Sequence, residues 1–492
     1  MTMDNNSAAN RQNVYKGTLV YHNKDVPVKV AYSSRFTMLI SFIQESQTVN
    51  ETFFEKSKSI LNTQSDSRYG FVSDTLFDSL TIEINDKVFK FGRCRFIRDK
   101  ENRLFNGKLY FTEDVYDIYE IFSANRLISL KDHFRNISVI LPQKTRIDQR
   151  FRDYTSNLAF DLNVYKGLFD DLDKKYVGES QMIYDVVQDI IIEKEGKAFK
   201  SFFDEKLDEL AGIVGAFSPP EHAVHGYYFR KLMWDIILTS EFMRRTNLKP
   251  RNYPGDSEMM NMIYENAYQG DSTFSKIMHK HPLEAKASQA VRNRVKIIAN
   301  VISDIKSSQE HTEGVFKILS LACGPAREIE NIVRNKVHCG EYHFTLFDQD
   351  IKAIEDAKRN ISKVEQRVDE KLNYAFIKDS IRTIISVPDL SEKWGTFHFI
   401  YALGLFDYLT ERVAQAIVPK LYKLLKPGGQ ILLGNFHVEN PNRYYMAYWL
   451  DWSLYYRNEE EMLNLTKNLP PVEKNIFFDE SRSQMFLTIT KT

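Results

Sequence analysis

The run "ILSLACGPAREIE", Ile318 to Glu330, reads as a buried strand, a tight turn and the start of a helix. That layout usually cradles a phosphate between three glycines and a helix N-terminus, yet only Gly324 is a glycine here. A missing side chain at Gly324 lets the backbone approach a ligand. Glu328, in the first turn of the helix, would repel a phosphate placed there. The loop, with Ala322 and Cys323 leading into Gly324, therefore suits a zwitterionic or cationic ligand better than a diphosphate. About twenty residues on, "FTLFDQD" ends a strand with Asp348 and Gln349. A carboxylate at that place can accept the two hydroxyls of a ribose. Asp350 is better placed to cap the next helix. "FIKDS" ends a third strand with Asp379 and Ser380, which could read an adenine amino group or simply cap a helix. "FHFIYALGLFDYL" ends a fourth strand with Ala402 to Tyr408, where a second reactant would meet the first ligand.

These residues require strands that all end on one edge. From Val315 to Thr492 strand-like runs alternate with helical ones, which predicts a doubly wound, mainly parallel sheet. The last two runs, "EKNIFFDE" and "SQMFLTITKT", are joined by a short loop and predict an antiparallel closing hairpin. "LLKPGGQILL" predicts a helix end, a Pro-Gly-Gly turn and the fifth strand. Between about residues 143 and 310 the period is helical: Leu158, Leu162, Tyr165, Leu168 and Leu172 recur every three or four residues, as do Val291, Val295, Ile298, Ile302 and Ile305. A helical layer of this size fits a cap or spacer placed against the next domain. Residues 1–142 have a period of two, with turns expected at Asn85-Asp86 and at Asn106-Gly107, and predict a small β-barrel.

A chain of 492 residues exceeds one core. Its 66 basic and 66 acidic residues cancel, so no net field draws it to nucleic acid. Three cysteines make no disulfide framework and lack zinc spacing, and no metal is expected. No apolar run of about 18 residues would span a bilayer. The expected setting is cytoplasmic.

Glycine turn, ribose acid, adenine acid, reactive fourth strand, Lys-Pro-Gly-Gly and terminal hairpin together resemble class I S-adenosylmethionine (SAM)-dependent methyltransferases over residues 315–492. That resemblance implies a seven-stranded Rossmann-like sheet and SAM as cofactor, held by Ala322, Cys323, Gly324, Asp348, Gln349, Asp379, Ser380 and Ala402. Because SAM has no phosphate, its loop needs one close backbone approach and no full glycine cradle. The sequence departs from that family at Ser320, where many members carry an acid, at Ala322 and Ala326, where glycines are frequent, and at His398, where an Asp often precedes the fourth strand.

The stretch from His225 to Tyr264, with its Tyr-x-Gly-Asp-x-x-Met at Tyr253 to Met259, is similar to one bacterial methyltransferase family. So are "LSLACGPAREIE", "LFDYL" and "NFHVENPNRYYMAYWLDWSLYYR". That family is associated with biosynthesis of the 3-hydroxypalmitic acid methyl ester quorum signal. The resemblance implies methyl transfer to a carboxylate of a small acid or 3-hydroxy fatty acid. A carboxylate with a pKa of about 4–5 needs no strong base, only alignment and exclusion of water. Tyr253, Asp256, Asp407 and Tyr408 are the candidates for that alignment. Aromatics at 444, 448, 452 and 455 would line one helical face, as a channel wall or as packing; Arg443 and Arg457 could hold a carboxylate or cap that helix. The N-terminal strands loosely resemble PilZ barrels, which bind cyclic di-GMP through an Arg-x-x-x-Arg stretch ahead of the barrel. The one such spacing, Arg146 to Arg150, follows the strands, so a docking module is expected ahead of a cyclic di-GMP sensor. The alternatives to carboxylate methylation are N- or C-methylation of another metabolite, or a regulatory protein that binds SAM without turnover.

Overall fold

The computed structural model describes residues 14–34, 36–43, 71–84, 87–99, 105–118, 121–122, 137–308, 314–334 and 339–491. The turn expected at Asn85-Asp86 lies outside them. The chain forms two compact units, Met1–Thr145 and Arg146–Thr492.

The first unit is an eight-stranded antiparallel sheet. Its strands are β1 (Val14–Tyr21), β2 (Lys24–Ser34), β3 (Thr37–Phe42), β4 (Leu76–Phe77), β5 (Ser79–Ile84), β6 (Lys87–Phe91), β7 (Cys94–Arg98) and β8 (Gly107–Phe111). They run in the order β4-β7-β8-β3-β2-β1-β5-β6. Alternate residues such as Leu19, Val28, Val30, Ile40, Leu80, Ile82, Phe96 and Leu109 converge on one core, so the sheet curls about its own inner face. Among the described residues no ladder joins β4 to β6, so the small β-barrel expected is here a half-barrel sheet. Asn106-Gly107 is not the centre of a two-residue hairpin. Gly107 already pairs with Arg98 at the start of β8. A Cβ there would lie 2.5 Å from the Phe96 ring, so glycine is needed for close packing.

The second unit joins the helical region to a seven-stranded mixed sheet. Its strands are β9 (Phe316–Leu321), β10 (Tyr342–Asp348), β11 (Asn373–Lys378), β12 (Phe397–Ala402), β13 (Leu425–Phe436), β14 (Glu473–Phe478) and β15 (Gln484–Thr490), in the order β11-β10-β9-β12-β13-β15-β14. The ladders from β11 to β13 are parallel, and β15 is antiparallel to both β13 and β14. The terminal hairpin is thus as the sequence predicts. Pro427, Gly428 and Gly429 lie inside β13, at a register shift between Phe397 and Phe399 of β12, where a turn ahead of the strand was expected. His398 sits on β12 stacked on Phe316, and its Nδ1 accepts the Lys317 N–H at 2.8 Å. Lys317 is the second residue of β9, near the end opposite Leu321, so this histidine lies toward the amino edge of the sheet.

The helix Lys286–Ser308 buries Val291, Ile298 and Ile302, as its 3.6-residue period requires. The longer helix Gln149–Lys175 buries Leu158 and Leu162, but Leu168 is exposed and Phe169 takes its place in the core. One apolar cluster runs from this helical layer into Phe436, Tyr445, Tyr448, Trp449 and Trp452. The expected single aromatic helix stops early. It spans Arg443–Trp449, and Asp451 adopts a left-handed φ of 46°. Trp452 then folds back to donate its N–H to the Met446 carbonyl at 3.0 Å. The buried aromatics are therefore 445, 448, 449 and 452, while Tyr455 is exposed.

Candidate functional site

A cavity of about 390 Å³ opens at the carboxyl ends of β9, β10, β12 and β13. Leu321 ends β9 and Ala322 to Pro325 follow it, Phe347 to Gln349 end β10, Leu403 to Leu405 and Asp407 to Leu409 follow β12, and Phe436 ends β13. The helical layer closes it with Tyr253, Gly255, Ser257, Met260, Tyr264, Val291 and Arg294.

The turn after β9 explains the sparse glycines. Ala322, Gly324 and Ala326 have φ of 52°, 53° and 51°, so the left-handed backbone of a glycine loop is kept with alanine at two positions. Each such alanine costs roughly 1–2 kcal/mol. At Gly324 a side chain would also project over open space in the cavity wall. Gly324 donates its N–H to Asp348 Oδ2 at 3.0 Å, and Asp350 donates to Oδ1 at 2.9 Å. Burial raises the pKa of the Asp348 carboxyl, and these backbone donors oppose the rise.

Tyr253 reaches the cavity on a strap with left-handed turns at Lys249, Asn252 and Gly255. Its phenol donates to Asp350 Oδ2 at 3.1 Å. The strap is tied down by Arg251, which contacts Asp350 at 3.4 Å and Asp356 at 3.2 Å and donates to Ser257 Oγ at 2.6 Å. Tyr408 also lines the cavity; it donates to the Pro254 carbonyl at 3.0 Å and accepts from Trp452 Nε1 at 2.7 Å. Asp407 lies beside it, almost fully buried, accepting the Phe436 N–H at 2.7 Å. Burial pushes its pKa up to about 6 against the pull of the Phe436 N–H, Arg294 and Arg457.

Four expected residues do not line the cavity. Asp256 caps the helix Ser257–Glu265 through the Met259 N–H at 3.0 Å and pairs with Arg245 at 2.8 Å. Its carboxylate is consumed by these partners, which makes it a positioning residue for the strap. Asp379 accepts from Ser380 N at 2.8 Å and Thr383 Oγ1 at 2.5 Å, so it caps the turn that begins there. Those hydrogen bonds, Thr383 first, hold its pKa low. Ser380 is likewise outside the lining, where Ile381 stands. Ala402 is buried inside β12, and the cavity begins one residue later at Leu403. Arg457 is taken up by the carbonyls of Phe406 and Leu409, at 2.8 and 2.5 Å, and Arg443 by that of Val438 at 3.0 Å.

The sequence reading missed Arg294. It stands on the buried stripe of Lys286–Ser308 between Val291 and Val295, and a charge on that apolar face was the available signal. Arg294 is buried and lines the cavity. Its Nη1 donates to the Leu403 carbonyl at 2.8 Å, its Nε has no hydrogen-bond partner, and it makes no ion pair among the described residues. Glu328 lines the same cavity, buried, with the Tyr401 phenol donating to it at 2.7 Å.

Strand order, the open edge and a carboxylate at the end of β10 are those of a class I methyltransferase fold. The family model for a methyltransferase domain matches residues 318–429, and the methyl donor of such domains is SAM. No curated protein matches the chain. Among solved structures, a chain from Bordetella parapertussis described as a possible exported protein is 13% identical, with a TM-score of 0.41, covering 60% of this chain and 96% of that one. Magnesium protoporphyrin IX methyltransferase from Synechocystis PCC 6803, bound to S-adenosylhomocysteine (SAH), is 10% identical with a TM-score of 0.32, covering 42% and 87%. N-methyltransferase NodS from Bradyrhizobium japonicum WM9, also with SAH, is 15% identical with a TM-score of 0.28, covering 40% and 86%.

The residues present fit SAM. Asp348 offers a carboxylate beside the open Gly324, Phe347 and Ile381 offer an apolar wall for a purine, and acidic groups line the cavity for a cationic ligand.

Proposed function

We propose that this methyltransferase transfers the methyl of SAM to the carboxylate of an organic acid, giving a methyl ester. Arg294 carries the reading: a buried guanidinium that feels Asp407 and Glu328 but closes an ion pair with neither, tied to Leu403 at the reacting edge of β12. An anionic acceptor would supply the missing partner through charge-assisted hydrogen bonds. Bound SAM supplies an electrophilic methyl on a sulfonium. Asp348 and Gly324 orient the nucleoside, Tyr253 and Tyr408 frame the approach, and Val291, Leu405, Phe436, Trp452 and Leu454 keep water out. Attack of an anion on a cation cancels charge in the transition state, so a dry wall favours it. A 3-hydroxy fatty acid belongs to this acceptor class and is the first compound to try.

Asp407 supports a second reading, in which a buried carboxyl with a pKa of about 6 removes a proton from an N–H or O–H acceptor. Incubation with methyl-labelled SAM and mixed acids or amines, followed by mass spectrometry, separates the two. Labelled esters, with a KM for the acid raised by Arg294→Gln and a kcat surviving Asp407→Asn, are expected. Label on amines alone, lost in Asp407→Asn, would replace the first reading by the second.

A further inference from the structure

The amino acid tail of SAM carries an ammonium and a carboxylate, and a buried ammonium needs an acid that is free to accept. Three carboxylates line the cavity, Asp348, Asp407 and Glu328. Asp348 already accepts two backbone N–H groups, at 3.0 and 2.9 Å. Asp407 accepts the Phe436 N–H at 2.7 Å and lies beside Tyr408, at the reacting end of β12. Glu328 differs from both. Its one side-chain partner is the neutral Tyr401 phenol, donating to Oε1 at 2.7 Å, and it makes no ion pair among the described residues. It is only 5% exposed, and the nearby Arg294 charge does not close on it. Ser320 on β9, a neutral hydroxyl, also lines the cavity. A carboxylate in such a place, with Arg294 near but not paired to it, is costly unless a second cation arrives with the ligand.

We propose that Glu328 receives the ammonium of the cofactor's amino acid tail, with Tyr401 holding the carboxylate in place from β12. Glu328 thereby sets the preference of the cavity for SAM and SAH over adenosine thioethers without the tail. This rests on SAM as the cofactor and is independent of the acceptor. The glutamate that would repel a phosphate at this loop becomes the feature that selects a cationic tail.

Calorimetric titration with two probes tests it: SAH, and 5′-methylthioadenosine, which keeps the nucleoside and the thioether but lacks the tail. Glu328→Gln should weaken SAH by about tenfold or more, the loss of one charge-assisted hydrogen bond, and leave 5′-methylthioadenosine within about twofold. Retained 5′-methylthioadenosine binding shows that the variant is folded. Wild-type protein with the deaminated analogue of SAH gives the same answer without a substitution, and its affinity should fall by a similar factor. Equal weakening of both probes in Glu328→Gln, or a deaminated analogue that binds as well as SAH, would overturn the assignment. Wild-type protein that bound neither probe would instead remove the cofactor reading itself.

Discussion

Replacing Asp407 by Asn should stabilise the protein at high pH and not at low pH. The carboxyl has an ordinary value of 3.8 and is pushed up to about 6 by burial. A folded chain therefore holds this proton up to about pH 6, while an unfolded chain releases it near 3.8. Raising the pH through that window costs the folded state, and the cost is complete above it. At about 1.36 kcal/mol per pH unit the gap amounts to about 3 kcal/mol. Asn keeps a carbonyl oxygen for the Phe436 N–H and carries no charge to bury. Asp407→Asn should thus gain up to about 3 kcal/mol at pH 8, only about 0.5 kcal/mol near pH 4, and almost nothing near pH 3. For a unit of roughly 350 residues that is an upward shift of roughly 4 °C in Tm. Thermal scans of both proteins at pH 8, 6 and 4.5 would show it. A variant whose Tm differs from wild type by the same amount at all three, or that loses stability only at pH 8, would refute a carboxyl whose burial outweighs its partners.

Ala322→Gly relieves a left-handed alanine worth roughly 1–2 kcal/mol against an unfolded-state entropy cost of about 0.5–1 kcal/mol; the urea midpoint should rise by the equivalent of about 0.5–1 kcal/mol. A fall would contradict the loop conformation. Arg251→Ala leaves Asp356, which keeps Arg359 and Ser257, without its partner at 3.2 Å, and frees the strap that carries Tyr253. It should cost about 3 kcal/mol in urea denaturation, whereas a loss under about 1 kcal/mol would mark the network as solvent-screened.

Periodicity carried much of the fold. Val291 to Ile305 announce a helix with one buried face, and the loop between Phe478 and Gln484 is too short for a crossover helix, which forces an antiparallel hairpin. That Gly324 and Asp348 would meet at one cavity was legible because strand ends in such sheets converge on one edge. Asp256 and Asp379 misled for a physical reason. An aspartate before a helix looks the same in sequence whether it caps the helix or faces a ligand, and only partners such as Arg245 and Thr383 decide. The aromatic run from Tyr444 has a helical period, but the left-handed Asp451 breaks it, and a conformation of that kind at a non-glycine residue leaves no pattern. Curvature was hidden as well, since alternation in β1 to β8 shows which face is inward and not whether β4 meets β6.

The most direct test of the central claim is calorimetry of SAH with wild-type protein and with Asp348→Asn. Saturable one-to-one binding, weakened by about tenfold or more (about 1.4 kcal/mol) in the variant, is the result expected if the β10 carboxylate holds the ribose. Absence of saturable binding in wild type, or equal affinity in the two proteins, would contradict it.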